Sequence, residues 1–369
     1  MGVTSIRLLL LGYSGKANFG DDLLLKQAVD ALAMEKEISI SIHTAENSGN
    51  SDYLAKWFPA ASILKGPLTF SIIRSHTHVV YFGGGVFFEY KQLSLSVFLR
   101  RLISQVLLFT IPKLFFGVKF FGIGMGLGPF HSQRGFWLTG HRLRHFSYLG
   151  LRDEDSRKMA EDMACRHLHV SPDLSLLECL KYQALPREHQ NSDKRKILVC
   201  ARHYPHTGHG NQYLQSLRSA LTSLKEAYPS AEISVFGFQK NHDEAAVESL
   251  LDLGIPGKIW DPMQMQVGEV LQLFASQDLI ISSRMHGIFM AGIAGVPSLA
   301  IGVHPKLQYA SAFFPESRAV DESSDAQTLF QAMVSALETK TAQDVARLRG
   351  LGEQCRKEYE KLIANLKQG

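Results

Sequence analysis

An arginine and a histidine two residues apart follow a short apolar run in the C-terminal third of the chain. The run, Leu279–Ile281, predicts a buried strand, and Ser282–Gly287 then marks the turn into a helix. At the carboxyl end of a parallel strand, helix-start amides and a guanidinium both favour an anion. Arg284 is suited to gripping a phosphate or carboxylate, and His286 to carrying a proton near neutral pH. The alternative is an ordinary helix cap, with a serine as the capping residue and an incidental salt bridge at Arg284.

Glycine-rich loops follow three other predicted strands. They are Gly12–Asp22, Gly83–Gly85 and Gly122–Pro129. The first lacks the Gly-Lys-Ser/Thr ending of a Walker loop and fits the dinucleotide fingerprint poorly. One such loop is more typical of a tight turn, but three at one sheet edge indicate the rim of a cleft, where backbone approaches a ligand closely. Asp21 and Asp22 fall at a helix start, where acids cap the helix whatever else they do.

The elements that must position these residues alternate between short β-branched or aromatic runs and amphipathic stretches, which indicates α/β domains with parallel sheets. The predicted strands are Ile6–Leu11, Ile38–Ile42, Val79–Phe82, Val118–Gly122, Tyr148–Leu151, Ile197–Ala201, Ile233–Phe238, Leu279–Ile281 and Ser298–Ile301. A polar stretch without periodicity, Gln183–Lys196, is the predicted linker. We therefore expect one domain over residues 1–183 and a second over residues 184–369, closed by a helix over Ala342–Leu366.

The composition excludes several classes of protein. A chain of 369 residues exceeds what one hydrophobic core usually supports, which agrees with two domains. The net charge of +4, with acids and bases interspersed, is too weak a bias to indicate nucleic acid as a partner. The four cysteines lie far apart without Cys-x-x-Cys spacing, which argues against a zinc site and a disulfide framework. The first apolar run is too short for a signal peptide, so we expect a cytoplasmic protein.

A strongly apolar segment, Leu93–Phe121, raises the question of a membrane span. Four charged residues and Pro112 interrupt it, so no charge-free run approaches the ~20 residues that a span requires. We predict a helix over Leu93–Ile111 followed by a buried strand. Either its own domain covers this helix, or the edge that carries Arg100 and Arg101 rests on the inner, anionic face of the membrane.

Two further features have both a structural and a functional interpretation. His203, His206 and His209 occur at three-residue spacing in the loop after the first strand of the second half. A loop does not hold such a spacing on one face, and no acid or thiol completes a ligand set. We therefore favour a flexible acceptor-side loop over a metal site, and we expect no metal and no cofactor. Arg152 and Asp153, at a strand end, form either a buried structural pair or a catalytic one.

Together and in this order, the segments resemble the polysaccharide pyruvyl transferase family. The resemblance rests on Asn18-x-Gly20-Asp21, Gly83–Gly85, Gly122–Pro129, Arg152-Asp153 with Ser156, Pro172-Asp173 and Arg284-x-His286-Gly287, and it covers nearly the whole chain. It implies two Rossmann-like domains facing a cleft, similar to the B-type glycosyltransferase architecture. It also implies transfer of the enolpyruvyl carbon of phosphoenolpyruvate onto two sugar hydroxyls of a cell-surface polysaccharide or its precursor, giving a cyclic pyruvate ketal and phosphate. The acidic pair is Asp21-Asp22 here, where many relatives have Asp-Glu.

The resemblance also implies roles for single residues. Arg284 and His286 contact the donor, and Arg202 is the second anion clamp. Phosphoenolpyruvate carries a carboxylate and a phosphate, and two arginines are the natural partners of two separated anions. His286 is the first candidate for donating the proton that the enol carbon or the departing phosphate accepts. Asp21 is the candidate for accepting a hydroxyl proton, unless it is only a cap. The remaining residues that we predict to bind substrate are Asn18, Gly84, Gly85, Ser283 and Gly287.

Two rival functions belong to other classes. A nucleotide-sugar-dependent glycosyltransferase of the two-domain type would use Arg284 for a diphosphate. A non-catalytic carbohydrate-binding or scaffold protein would bind glycan without paired arginines. For the pyruvyl transferase we expect phosphoenolpyruvate and a glycan or lipid-linked oligosaccharide as partners.

Overall fold

The chain folds as two compact α/β units. The computed structural model describes residues 5–45, 51–85, 87–89, 92–181, 194–202, 210–302, 305–339 and 344–368. The first unit comprises Met1–Lys16, Asp21–Leu177 and Gly350–Gly369, and the second comprises Ala17–Gly20 and Glu178–Arg349. This division differs from the predicted one in three places: the boundary falls after Leu177, the last segment of the chain groups with the first unit, and a short loop segment groups with the second.

The strands alternate with helices along the chain. The strands are β1 Ile6–Leu11, β2 Ile38–Thr44, β3 Ser62–Lys65, β4 His78–Phe82, β5 Lys119–Met125, β6 Phe146–Leu151, β7 Leu168–Val170, β8 Lys196–Cys200, β9 Glu232–Gly237, β10 Gly257–Ile259, β11 Leu279–Ser282, β12 Ser298–Gly302 and β13 Ser317–Asp321. The α-helices are α1 Phe19–Leu32, α2 Tyr53–Trp57, α3 Phe70–Arg74, α4 Leu95–Gln105, α5 Ile111–Phe116, α6 Gln133–Leu143, α7 Glu154–Asp162, α8 Gly210–Ala227, α9 Lys240–Leu251, α10 Val267–Ala275, α11 Met285–Ile293, α12 Pro305–Ala312, α13 Ala326–Leu337 and α14 Val345–Lys367.

Each unit is built on a parallel sheet with the doubly wound strand order. Among the described residues, the first sheet has the order β3-β2-β1-β4-β5-β6-β7 and the second the order β10-β9-β8-β11-β12-β13. In both sheets the direction of winding reverses after the first strand, so β1 pairs with β4 and β8 pairs with β11. Ligands of such sheets bind outside the carboxyl ends of the strands at this switch point. The expected pair of Rossmann-like domains is confirmed.

The predicted strands all lie inside a sheet. Within the described part of the chain, every predicted strand is present, and the four that were not predicted, β3, β7, β10 and β13, are the sheet edges. All residues of β4 and β11 are buried, whereas most residues of β10 and β13 are exposed. A strand covered on both faces produces a continuous apolar run. An edge strand does not, so its sequence lacks that signal.

One helix is longer than its prediction. Instead of ending at Ile111, the helical segment runs from Leu95 to Phe116, as α4, a π-helical turn over Val106–Thr110 and α5. Pro112 does not end it, since this proline lies in the first turn of α5. There the π-helical turn has already interrupted the regular hydrogen-bond pattern, so the missing N–H costs little.

Helix α14 packs on the first unit, although in the sequence it follows the second. Its buried side is formed by Cys355, Tyr359, Leu362 and Leu366. Cys355 Sγ lies 3.5 Å from the carbonyl oxygen of Asp173. At the other end of the helix, Lys367 Nζ lies 3.0 Å from Glu37 Oε1. The apolar stripe of the helix is thus covered by the first unit, which corrects the prediction that this helix closes the second domain.

The packing of α14 predicts that a cavity made by truncating one of its buried side chains strongly lowers the free energy of unfolding. Leu362 is completely buried, so Leu362→Ala should lower the free energy of unfolding by about 2–5 kcal/mol. Lys357→Ala, at an exposed position of the same helix, should change it by less than about 0.5 kcal/mol. Urea unfolding followed by circular dichroism measures both variants. Equal, small effects would contradict the assignment of α14 to the folded core.

Candidate active site

Three strand ends of the second sheet bring the predicted anion-binding residues together. β8 leads to Arg202, β9 to Gln239, and β11 to Ser283 and Arg284. These strands are neighbours in the order β9-β8-β11 and flank the switch point. Ser283 Oγ accepts hydrogen bonds from Arg202 N at 2.9 Å and from Tyr213 Oη at 3.0 Å. Ser283, predicted to bind substrate, therefore also ties the end of β8 to the end of β11.

Arg284 forms a buried ion pair with Asp243. Its Nε lies 3.1 Å from each carboxylate oxygen, and its Nη2 donates to Oδ1. Asp243 is 0% exposed and Arg284 is 8% exposed. Charges removed from water to this extent must be closely paired and hydrogen-bonded to remain ionised. The sequence predicted a guanidinium fork directed at a ligand, whereas in the structure two of its three nitrogens bind Asp243.

Asp243 also fixes the start of helix α9. Its Oδ2 accepts from Phe238 N at 2.7 Å and from Gln239 N at 3.1 Å. One carboxylate thus joins the turn after β9 to the turn after β11. Sequence reasoning missed Asp243. The available signal was an acid in the first turn of a helix that follows a strand ending at this sheet edge.

The Asn18-x-Gly20 loop is attached to the same strand ends. Asn18 Nδ2 donates to Gln239 Oε1 at 2.9 Å, and Phe19 N donates to the carbonyl of Phe238 at 3.0 Å. The rings of Phe19 and Phe238 pack edge to face with centroids 5.3 Å apart. Asn18 Oδ1 accepts from Gly20 N at 3.1 Å. Asn18 therefore shapes this loop and holds it in the second unit.

Gly20 leaves the space that His286 occupies. A Cβ at Gly20 would overlap the imidazole ring of His286. His286 lies in the first turn of α11 and is partly exposed. Its ring centroid is 6.3 Å from that of Phe289. The structure thus places the predicted catalytic histidine directly against the backbone of the predicted Asn18-x-Gly20 loop.

A second histidine that sequence reasoning did not select lies at this site. His242 is in the first turn of α9, next to Asp243 in the chain. Partial burial lowers the pKa of His242, the charges of Arg202 and Arg284 lower it further, and Asp243 opposes them. Both arginines are therefore close enough to act on one ring. A positive potential of this kind favours a bound anion.

Gly287 is explained by packing within the turn. A Cβ at Gly287 would overlap Ser282 Oγ. That oxygen accepts from Arg284 N at 3.0 Å and donates to the carbonyl of Arg284 at 2.9 Å. The contact seen for Gly287 is therefore with Ser282, and its contact with substrate stays a prediction.

The first unit has its own glycine-lined strand ends, at the β1–β4 switch point. Gly84 follows β4 with φ +65°, a conformation that favours glycine. A Cβ at Gly84 would lie 3.2 Å from Asp21 Oδ1, so two predicted site residues are adjacent. Gly126 N, after β5, donates to the carbonyl of Gly84 at 2.9 Å. Gly85 follows directly in the same loop.

Two other polar groups of the first unit form structural contacts. Asp22 is buried and accepts a hydrogen bond from Tyr53 Oη. Arg152 is buried as well, with Nε 3.3 Å from Asp153 Oδ2 and Nη1 3.8 Å from Asp173 Oδ2. Of the two interpretations of the Arg152-Asp153 pair, these contacts favour the buried structural one.

No group of three histidine, cysteine or acidic side chains among the described residues is arranged to hold a metal ion. The loop histidines His203, His206 and His209 lie outside the described residues. The four cysteines are buried and form no disulfide in the part of the chain that the structure describes.

A match to a family model identifies the family of this chain. The model of the polysaccharide pyruvyl transferases matches residues 18–305, which include the strand-end residues of both units. The chain belongs to the polysaccharide pyruvyl transferase family. It is therefore a transferase, and its family acts on polysaccharide. The resemblance drawn from the motifs is confirmed. A comparison with curated protein sequences finds no match.

Solved structures share the fold of this transferase at low sequence identity. UDP-GlcNAc 2-epimerase from Neisseria meningitidis, bound to UDP-GlcNAc, is 14% identical with a TM-score of 0.63, covering 97% of this chain and 99% of that chain. The enzyme of the same name from Methanocaldococcus jannaschii, in complex with UDP-GlcNAc and UDP, is 16% identical with a TM-score of 0.62, covering 98% and 99%. Anabaena HepE, in complex with UDP-glucose, is 11% identical with a TM-score of 0.52, covering 98% and 97%. These similarities establish a shared fold of two Rossmann-like domains, like that of B-type glycosyltransferases.

The buried ion pair predicts a stability effect in this transferase. Asp243→Ala leaves the Arg284 charge buried without its partner, so it should lower the free energy of unfolding by about 3–5 kcal/mol. Asp252→Ala, at the exposed end of the same helix, is the matched control and should change it by less than about 0.5 kcal/mol. Urea denaturation measures both. If the two variants unfold alike, the pair does not carry the stability assigned to it.

The contact between Gly20 and His286 predicts an effect on activity. Gly20→Ala should displace the imidazole and lower the turnover of pyruvyl transfer by about 100-fold, as small misplacements of reacting groups do. Gly268→Ala, where a Cβ meets nothing within 4 Å, should keep wild-type turnover. The initial rates of both variants, with thermal unfolding to verify folding, measure the effect. Wild-type turnover in Gly20→Ala would show that this position of His286 is not needed.

Proposed function

We propose that this transferase uses phosphoenolpyruvate as donor, forms a cyclic pyruvate ketal on a sugar of a cell-surface polysaccharide or its precursor, and releases phosphate. The observation that carries the proposal is the positive site at the ends of β8, β9 and β11. Ser283 Oγ accepts a hydrogen bond from Arg202 N at 2.9 Å, so the strand ends that carry Arg202 and Arg284 meet there, and His286 lies two residues after Arg284 in the first turn of α11. Such a site suits a small donor with two anionic groups.

The two arginines have different tasks in this proposal. The bonds of Arg284 to Asp243 use Nε and Nη2, so its main task is to hold the turns in place while adding positive charge. Arg202 follows β8 at the switch point, and its backbone amide is fixed by Ser283. We assign to Arg202 the principal contact with the donor. A donor contact of Arg284 stays a prediction.

The chemistry requires one proton to reach the donor and two to leave the acceptor. Protonation of the methylene carbon of phosphoenolpyruvate makes the neighbouring carbon oxocarbenium-like, and a sugar hydroxyl attacks it. Attack by the second hydroxyl closes the ketal as phosphate leaves. Of the two protons lost by the hydroxyls, one is matched by the proton added to form the methyl group, and the other by the proton on the released phosphate. His286 is the proposed proton donor, and Asp21 the proposed acceptor of a hydroxyl proton.

The choice of His286 over His242 follows from their surroundings. The pKa of His242 is lowered by burial and by two arginine charges, which disfavours the protonated form that a proton donor needs. His286 is instead packed on the Asn18-x-Gly20 loop, which fixes its ring. In this proposal the arginines neutralise the anionic groups of the donor, so the reaction requires no divalent cation and no other cofactor.

We further propose that the enzyme acts in the cytoplasm, where phosphoenolpyruvate is made, on a glycan or lipid-linked oligosaccharide. The sugar and the hydroxyls that the ketal bridges are to be identified by mass spectrometry of candidate glycans after incubation with phosphoenolpyruvate. A fixed mass gain on one glycan, with equimolar phosphate, is the expected result.

A nucleotide-sugar-dependent glycosyltransferase is the second candidate function. The observation in its favour is that solved structures of the same fold were determined with UDP-GlcNAc, UDP or UDP-glucose. Incubation with labelled phosphoenolpyruvate in parallel with labelled nucleotide sugars separates the two candidates. Label transfer from a nucleotide sugar alone would replace the pyruvyl transfer proposed here.

The proposal predicts that catalysis requires His286 and no divalent cation. His286→Ala should lower turnover by about 100-fold or more, because general acid catalysis usually contributes that much. His286→Asn keeps hydrogen-bonding capacity but cannot shuttle a proton at neutral pH, so it should be nearly as inactive. His131→Asn, at an exposed position, is the matched control. The rate of phosphate release gives the turnover of each protein, with and without a chelator.

Two outcomes of this experiment would contradict the mechanism. One is turnover of His286→Asn at the wild-type rate, and the other is loss of activity on chelation that added Mg²⁺ restores. Arg202→Ala extends the test, because removing a charge-assisted contact should weaken phosphoenolpyruvate binding by about 1.5–3 kcal/mol. Calorimetry that shows wild-type affinity in this variant would remove Arg202 from the donor site.

A further inference from the structure

The helical segment Leu95–Phe116 exposes an apolar surface to solvent. Among the described residues, this is the one helical segment that is long and apolar enough to cross a membrane. Leu95, Leu99, Ile103 and Leu107 recur at four-residue spacing and therefore lie on one side of the helix. They are 56%, 49%, 62% and 46% exposed. Soluble proteins seldom leave such a continuous apolar stripe uncovered.

The opposite side of the segment is fastened to its own unit. Gln105, Phe109 and Pro112 are buried. Gln105 Nε2 donates to the carbonyl of Leu138 in α6 at 2.9 Å, and Lys113 Nζ donates to the carbonyl of His145 at 2.7 Å. The helix is therefore part of the fold. Crossing a bilayer would break these contacts and would bury Arg100 and Arg101 in hydrocarbon, which is strongly unfavourable.

The exposed stripe extends to neighbouring side chains. At its C-terminal end, Leu114, Phe115 and Phe116 are 68%, 76% and 49% exposed. Trp137 from α6 is 45% exposed, and its ring lies 5.9 Å from that of Phe98. We call these residues, with the stripe itself, the apolar face. An exposed tryptophan beside leucine and phenylalanine is typical of a surface that enters the lipid headgroup region.

Exposed basic residues lie on two of the helices that form the apolar face, and the elements of this face contain no acidic residue. Between Glu89 and Asp153 the sequence contains no acidic residue and nine lysines and arginines. Arg100 and Arg101 are exposed on α4, and Arg134 is exposed on α6. This stretch is far more basic than the chain as a whole, whose net charge is +4. A surface that exposes apolar and basic side chains together is complementary to anionic lipid.

We propose that the apolar face binds the surface of an anionic lipid bilayer, with α4 and α5 lying in the plane of the membrane. A second copy of the chain fits the face less well, because a symmetric interface would bring the same patch together and oppose arginines with no acid to neutralise them. Anionic lipid covers the apolar residues and balances the charge at once. The proposal does not depend on the donor or the catalytic residues.

Binding to vesicles of two compositions tests the proposal. Full-length protein should float with vesicles of equal parts phosphatidylcholine and phosphatidylglycerol at low salt, and much less with phosphatidylcholine alone. Raising the salt should weaken binding, because charge attraction at a surface is screened within ~10 Å at 0.1 M. Fluorescence gives a second measurement, since Trp137 should shift to the blue on binding and Trp137→Phe should lose that shift.

Paired variants separate the two components of the surface. Arg100→Gln with Arg101→Gln should weaken binding to anionic vesicles by about 30-fold, the product of two typical contributions of a basic residue at such a surface. Lys357→Gln with Lys361→Gln, at exposed positions of α14, should leave it unchanged. Ile103→Ser should weaken binding to anionic vesicles, while Leu251→Ser, at an exposed position of the second unit, should not. Every variant is first checked for wild-type thermal unfolding.

Three results would overturn the proposal. The first is absence of flotation with anionic vesicles at low salt. The second is equal binding of the arginine and lysine double variants. The third is a concentration-dependent dimer in sedimentation velocity that Ile103→Ser dissociates, which would make a second copy the occupant of the face. Each is distinguishable from failure of the proposed function, because phosphate release with a water-soluble acceptor needs no membrane.

Discussion

The second unit depends on one electrostatic constraint, the buried pair of Arg284 and Asp243. The pair connects the turn after β11 to the turn after β9, and Asp243 also accepts the amides of Phe238 and Gln239. The side chain of Gln239 in turn holds Asn18, which lies two residues before Gly20. The position of His286 thus depends on a series of contacts that begins at the ion pair. A buried pair of this kind contributes less to net stability than to geometry, because the desolvation of both charges offsets much of their attraction.

This constraint also limits what the side chain of Arg284 can bind. Two of the three guanidinium nitrogens of Arg284 bind Asp243, so much of its hydrogen-bonding capacity is used within the protein. Burial lowers the pKa of His242, and both arginines lower it further, because their positive charges disfavour a third one.

The parts that the sequence predicted are those where burial leaves a clear pattern. Interior strands such as β4 and β11 produce apolar runs, and glycine-rich or arginine-containing turns follow them, so the fold class and the motif residues were predictable. The edge strands, β10 for example, are half exposed and produce no such run. Asp243 and His242 occur in an ordinary amphipathic helix and became site residues only through the sheet order, which a single sequence does not specify. The place of α14 was unpredictable for the same reason, since an apolar stripe shows that a helix packs on a core but not on which one.

The Leu95–Phe116 segment shows why composition alone could not predict which side of a helix is exposed. Its interrupting charges argued against a membrane span, but charge and hydropathy along a chain do not reveal which side of a helix is covered. The structure covers the side that carries Gln105 and Phe109 and exposes the leucines and Ile103. Exposing apolar side chains on a helix that is otherwise well packed is unfavourable in water. The sequence from residue 90 to residue 152 is also free of acids, so the basic residues on this side of the unit have no acidic neighbour in that part of the chain.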